Sequence, residues 1–590
     1  MTAKVISLSI KPGIQRDGTL FDAPTYVDGL WVRFQRGRPR KIGGYKGIFK
    51  NATGISRGMI MNSSNGLNYV YSGWSGGMQE WVTDDDDGVG SGPINITLSG
   101  FTANDNNLWQ FDIGYDTNGS GNQVIIAHPG LNLAHIDNTD NTPVLYGTFP
   151  GGAMSPVGIF TATGVMTPGT PNSTFVISAI NALIYPGQLV TGTGIPVGST
   201  VVSSTIGSTT TTVVITGTAS TSGSLTLTFD NQISVSGGCV MLHPYLFVYG
   251  NNGLIQNSSA GNFQDWVSAD ANANNVATGK IVKGLPVRGG TTSPSGLFWS
   301  TDSLIRVSYA PQTLGTSTIY WRYDIITSQS SILSSSSVIE YDGIFYWIGT
   351  DRFLCYNGVV QEVQNDMNMN YFFDNLNYAQ RQKIWVSKVP RWGEIWWFYP
   401  KGDATECTDA IIFNVREKTW YDAGESLGAH RSAGTFSEVF RKPIWAGNDV
   451  SSANKSILWQ HESGVNLVNL TSETAIESYV ETNSLGWVTG GPGANDPVGM
   501  NNWIRMERIE PDFVQSEEMY VIVTGKSYAD GEDDPSDPYY FLPNTPKIDM
   551  RQQRREMRLR FGSNIVNGNY ETGNVLLSAD IGDVRGDGNP

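Results

Sequence analysis

An aromatic β-run followed by a glycine turn recurs along this chain at intervals near 50 residues, and that repeat constrains the fold more than any other feature. It is clearest at Tyr341-Asp342-Gly343-Ile344-Phe345-Tyr346-Trp347-Ile348-Gly349, followed at once by Arg352-Phe353-Leu354-Cys355-Tyr356-Asn357-Gly358. Comparable runs start at Tyr245 (YLFVYGNNGLI), Leu297 (LFWSTDSLIRV), Glu394 (EIWWFYP) and Pro443 (PIWAG, later ILWQ), with successive spacings of 52, 44, 53 and 49 residues. A repeat of that length, built of short strands and tight turns, is the sequence form of a β-propeller blade. Earlier runs at Asn68 (NYVYSGW) and Gln123 (QVIIAHPG) bring the total to six or seven.

The step from Gln123 to Tyr245 is too long for that period by about 70 residues. Within it, 141–229 contains no Lys, Arg, Asp, Glu or His, only Thr/Ser/Val alternation and Pro-Gly turns such as Tyr185-Pro186-Gly187. That pattern marks strands and turns, and without Lys, Arg, Asp, Glu or His it offers no carboxylate, imidazole or amine for acid–base or metal chemistry. We read an inserted β-sandwich-like module, peripheral to the blades, whose two ends lie close together. After about 464 the aromatic period fades, and MERIEPDFV, EEMYVIVTG, EMRLRFGSNIV and VLLSADIGDV read as strands of a further β domain. The acidic, proline-rich stretch 530–538 reads as an exposed loop. One helix is expected near 370–383. The expected class is therefore all-β: an irregular propeller of six or seven blades, divided as 1–150 (arm and first blades), 151–232 (uncharged insert), 233–464 (remaining blades) and 465–590 (C-terminal β domain).

Charge narrows the function. With a net charge of -16, general affinity for nucleic acid is not expected, because phosphate binding needs clustered Lys and Arg. Cys239, Cys355 and Cys407 lie far apart with no CxxC spacing, so no zinc site or disulfide framework is expected. No signal-peptide pattern opens the chain and no apolar run reaches the ~18 residues of a membrane span, so the expectation is a soluble protein made in a cytoplasm. Two basic clusters break the acidic background: Arg33, Arg36, Arg38, Arg40 and Lys41, and Arg551, Arg554, Arg555, Arg558 and Arg560. Each reads as a solvated strand face or as a surface that docks an acidic partner ring.

The run Tyr26 to Tyr45 contains RFQRGRPRKIGGY, and its pattern RFxxGxPxKIGGY resembles the opening of tail nozzle (tail tubular or DNA-stabilisation type) proteins of podovirus-like bacteriophages. RLRFGSNIVNGNYETGNVLLSADIGDVR, 558–585, is similar to the closing segment of the same family, whereas the uncharged insert departs from its common core. The resemblance implies a structural virion protein of the tail, made in the host bacterial cytoplasm. It implies a hexameric ring that joins a tail adaptor ring, contacts tail fibres, stays closed until infection and then lets double-stranded DNA pass without specific binding. The acidic residues Asp84, Asp85, Asp86 and Asp87, with Asp530, Asp533, Asp534 and Asp537, are candidates for the lumen or rim of that channel.

Chemistry is not expected of such a chain: no catalytic residue, metal or cofactor stands out, and the expectation is that it is not an enzyme. The EF-hand reading of Asp84–Asp87 fails because Thr83 and Ile94 fall at its end positions. The five histidines share no HxxxH or HExxH spacing, and no Ser sits in a GxSxG turn. Two alternatives stay open, a glycan-binding receptor protein or adhesin of the tail and a propeller glycosidase, since two carboxylates can be assembled by any fold. Trp392, Trp396 and Trp397 would be their sugar-stacking residues, against a reading of all three as blade core.

Overall fold

The computed structural model describes residues 4–584 except 20–22, 65, 84–90, 98–102, 106–107, 116–122, 131–134, 139–159, 182–183, 185–187, 231–235, 264–267, 288–292, 315–316, 449–454, 470–471, 487–501 and 529–530. Each aromatic run of the repeat is the second strand of a small antiparallel sheet, and there are seven such sheets among the described residues. Their second strands are Leu67–Trp74, Gln123–His128, Tyr245–Tyr249, Ser295–Ser300, Ile344–Ile348, Glu394–Tyr399 and Ile444–Gly447. Tyr245–Tyr249, Glu394–Tyr399 and Ile444–Gly447 are buried at every position. A strand whose two faces are both covered by neighbouring sheets reads as a continuous apolar run rather than an alternating one. The turn of the fifth sheet explains its glycine: Asp342 and Gly343 both have positive φ, 50° and 83°, as a two-residue hairpin matching the strand twist requires.

The first strands of these sheets, Ser56–Ser64, Gln110–Tyr115, Gly238–Leu242, Ile281–Val287, Ile339–Tyr341, Trp385–Val389 and Arg431–Thr435, surround a common axis. The fourth and fifth sheets pack through Leu297, Trp299, Phe345 and Trp347. The result is a seven-bladed β-propeller. Its last blade is completed by an N-terminal strand: Tyr45–Thr53 pairs antiparallel with Lys455–His461 and parallel with Leu467–Asn469. Such closure leaves no free edge between first and last blades. A cavity of about 230 Å³ lies at the end of the axis where the first strands begin.

The uncharged insert is a barrel rather than the expected sandwich. Its sheet runs in the order Leu189–Thr191, Gly223–Asp230, Phe160–Thr167, Asn172–Ile177, Thr211–Thr216, Val201–Ile206. The two outer strands then meet: Val190 N–H donates to Ser199 O at 2.8 Å and Val201 N–H to Gln188 O at 2.8 Å. Closure lets one cylinder enclose a core of Phe175, Val190, Val213, Ile215, Leu227 and Phe229. Phe160 and Phe229 are cross-strand partners, so the described ends of the insert are adjacent.

The C-terminal domain has two sheets, and N-terminal strands are woven into both. One orders Ile548–Arg554, Asn502–Gln515, Tyr570–Val584, Arg38–Lys41 and Val32–Gln35, with Lys4–Leu8 also on Tyr570–Val584. The other places Asp28–Leu30 beside Ser478–Glu481, then Glu556–Ser563, Met519–Lys526 and Asp534–Pro535. A single apolar core runs from blade six (Trp396, Phe398) through Trp31 and Phe34 to Val521, Leu559 and Leu577. The expected helix is present in two pieces, α-helical Met369–Asn375 and 3-10 Tyr378–Lys383, broken at Leu376, whose ψ of 126° is extended. No described helix is long and apolar enough to cross a membrane.

Candidate functional site

The N-terminal motif forms a seam between propeller and C-terminal domain. Trp31 sits at φ 49°, fully buried, with its indole N–H donating to Gly43 O at 3.1 Å. Gly44 lies so close to the chain at Asn466 that a Cβ would stand 2.2 Å from Asn466 O, which restricts this position to glycine. Arg33 is 1% exposed. Its guanidinium reaches Glu394 at 2.9 Å and Glu462 at 2.6 Å. Glu394 also accepts from Tyr421 Oη at 2.7 Å and Trp396 Nε1 at 2.9 Å, and Glu462 from Trp392 Nε1 at 2.8 Å. Burial pushes the Glu394 carboxyl up against the pull of Arg33. Burial also opposes ionisation of Glu462, but Arg33 outweighs it and holds that carboxyl below its ordinary value. One buried cation thus serves two acids, with aromatic N–H and O–H groups filling the remaining lone pairs, as an interior ion pair requires.

A second network crosses the same seam. Arg16 pairs with Asp28 and, at 3.0 Å, with Asp422. Arg560 reaches Glu481 at 2.7 Å and Asp28 at 3.4 Å. Arg558 binds Glu481 at 2.9 Å and Asp533 at 2.6 Å, and Arg554 binds Asp534 at 2.5 Å. Burial alone would raise Asp533, but Arg558 and Lys526 hold it below the usual carboxylate range. Lys41 Nζ is buried and donates to Ile476 O at 2.7 Å and Gly568 O at 2.8 Å; burial lowers its pKa to about 8.

These placements correct the surface reading of the basic clusters. Arg33 and Lys41 are interior. Arg40 is paired with Glu571 at 3.4 Å and lies over the Trp392 ring. Arg554, Arg558 and Arg560 are spent on Asp534, Asp533, Glu481 and Asp28 within the chain. Asp533 and Asp534, read as lumen or rim candidates, are therefore the partners of the arginines read as a docking face. Asp537 is exposed; Asp84, Asp85, Asp86, Asp87 and Asp530 lie outside the described residues. Arg36, Arg38 and Arg551 have no ion-pair partner among the described residues, and Arg555 reaches only Glu556, at 4.0 Å. Arg16, Asp28, Glu394, Glu462 and Glu481 carry no motif that sequence reading could use, since their partners lie up to 532 residues away.

Trp396 and Trp397 are blade core, 0% and 1% exposed, and Trp392 is sandwiched among Arg33, Arg40 and Arg391, so none offers a free face to a sugar. Two carboxyls do converge elsewhere in blade six. Burial raises Asp409 to about 6, with Lys401 opposing and Asp422 adding to the rise. Lys401 Nζ stands 3.7 Å from Asp409. Among the described residues no three His, Cys, Asp or Glu side chains converge as metal ligands.

No family model matches the chain, and no curated protein does. Among solved structures, a glycoside hydrolase matches at 8% identity and a TM-score of 0.22, covering 90% of this chain and 100% of that one. An exo-beta-1,3-galactanase from Phanerochaete chrysosporium, with beta-1,3-galactotriose, matches at 9% and 0.24 with the same coverage. An exported protein from Bacteroides fragilis matches at 10% and 0.24, over 61% of this chain and 97% of that one. The expectation that the chain is not an enzyme is corrected here: two of these three matches are glycoside hydrolases, so absence of catalysis does not follow from this architecture. At such TM-scores the likeness assigns no activity either.

Proposed function

We propose that this chain is a structural subunit of a short-tailed phage virion, one of six in a ring that forms the tail nozzle, closes the channel and conducts the genome during ejection. The observation that carries the reading is that the two segments resembling that family are packed on each other. Strand Arg38–Lys41 adjoins Tyr570–Val584, Lys41 donates to Gly568 O, and Thr572 Oγ1 to Pro39 O at 3.3 Å. The seam they build binds propeller to C-terminal domain, the rigidity a channel wall needs. Docking to an adaptor ring falls to Arg36, Arg38 and Arg551, the cations of the two clusters left without an ion pair among the described residues.

Light scattering of the full chain tests the ring: a six-subunit mass supports it, and a trimer that binds host glycan supports an adhesin instead. Replacing Arg36, Arg38 and Arg551 by Glu is expected to block joining to the tail while leaving the subunit folded. Duplex DNA should not bind at ~0.1 M salt. A second reading, a glycan-cleaving tail protein, is favoured by Asp409, a carboxyl kept protonated to about pH 6 beside a second acid, as acid and base pairs in glycosidases are. Release of sugar from host polysaccharide, lost in Asp409→Asn, would establish it.

A further inference from the structure

The axial cavity runs against the charge of the chain around it. It is lined by Arg57, Lys283 and Lys383, with Ser336, Ser432 and Gln110 among its polar groups, and no Asp or Glu lines it among the described residues. Arg57 and Lys383 already share one acid: Arg57 grips Glu406 with two hydrogen bonds of 2.7 Å and Lys383 reaches it at 2.8 Å. Two cations on one carboxylate leave a positive charge over. Asp112 accepts from Met241 N–H and Ile113 N–H, both at 2.8 Å, and burial raises its pKa, so it offsets Lys283 only in part. Among the described residues Lys283 forms no side-chain hydrogen bond or ion pair, and burial lowers its pKa against the pull of Asp112. Ser432 is 6% exposed and its hydroxyl has no hydrogen-bond partner among the described residues.

A buried hydroxyl left unmatched is costly unless something in the cavity pairs with it, and the half-buried Lys283 lines the same space. At about 230 Å³, against roughly 30 Å³ for one water in the liquid, the space holds a small polyatomic ion with several waters. A protein of net charge -16 would not collect anions on its outer surface, but low-dielectric walls concentrate the field of these few cations inside the cavity.

We propose that the axial cavity is a binding site for one small oxyanion of the phosphate or sulfate type, taken by Lys283 and Ser432 with Arg57 and Lys383 at its edge. The site is independent of the nozzle reading and of the Asp409 pair.

Titration calorimetry of the full-length protein with inorganic phosphate tests it, with sulfate and acetate as comparison arms. One saturable phosphate per chain is expected, displaced by sulfate and more weakly by acetate. Lys283→Met is expected to weaken binding about 10- to 100-fold, as loss of a charged hydrogen bond does, and Lys283→Arg to retain it. Ser432→Ala leaves every charge in place and is expected to weaken binding about 3- to 10-fold. No saturable binding up to about 10 mM phosphate overturns the proposal, and so does unchanged affinity in Ser432→Ala. Should Lys283→Met not fold, the wild-type titration and Ser432→Ala decide alone.

Discussion

In the inserted barrel the described buried side chains are apolar or uncharged polar groups, and its surface is tied by hydroxyl pairs such as Thr163–Thr226 at 2.9 Å and Thr200–Thr216 at 3.4 Å. At the seam, by contrast, Arg33 lies in the interior between two glutamates 361 and 429 residues away. Among the described residues the barrel's strand pairings and core all fall within some 70 residues, which makes it a local unit of stability. The seam joins segments that meet only when the whole chain is folded. A local, neutral domain can be gained or lost without consequence for its host, whereas a buried ionic seam makes distant parts of the chain depend on one another.

The sharpest way to break this contrast is at Arg33. Arg33→Met leaves Glu394 and Glu462 buried without their cation, and about 3–5 kcal/mol of global stability should be lost in urea unfolding; a loss under about 1 kcal/mol would show the seam to be dispensable. Next in size is a pH effect in the charged body. Burial raises Glu80 of blade one to about 7, with Tyr71 opposing. Between pH 4.5 and about 7 the folded chain keeps a proton that the unfolded chain releases, so stability falls as pH rises through that window, by at most about 3 kcal/mol. Glu80→Gln should remove that residue's share of the fall, leaving the smaller part due to Asp409, while residues 160–229 produced alone, having no Lys, Arg, Asp, Glu or His, should melt at one temperature from pH 4 to 9. Smaller still is Thr163→Val on the barrel surface, expected to cost under about 1 kcal/mol. The smallest effect is expected from the largest change: replacing 152–229 by a short Gly-Ser linker should leave the unfolding midpoint of the body where it was. An insoluble product would mean that the barrel supports the blades after all.

The propeller was legible because its signal is local. Seven aromatic runs are seven second strands, and each reveals itself by apolar residues on both faces. Closure by Tyr45–Thr53 was not legible, since KGIFKNAT lacks the run that marks the other blades and its partner strand begins about 400 residues later. The insert showed its strands through Thr/Val alternation, but sandwich and barrel have the same alternation and differ only in whether the outer strands meet, here at Leu189 and Thr200. The basic clusters misled for a related reason. An arginine neutralised by a glutamate hundreds of residues away looks, in sequence, the same as one in solvent, and of the two clusters only Arg36, Arg38 and Arg551 are without an ion pair among the described residues. Likewise Asp533 and Arg558 were each read as exposed groups of opposite function when they are one ion pair.

The blade closed by Tyr45–Thr53 also sets a timetable for biosynthesis. This strand leaves the ribosome early, but its antiparallel partner Lys455–His461 follows only after roughly 400 further residues, about 20–80 s at ordinary elongation rates. For that interval Ile48 and Phe49, destined for full burial, can pack only on blade one, where Phe49 meets Trp81, and the strand's hydrogen-bonding edge toward Lys455–His461 waits unpaired. The blades between can form in order as they emerge, yet the circle stays open, and chaperone occupancy of the waiting strand rather than the folding of any blade would then govern the yield of finished subunits.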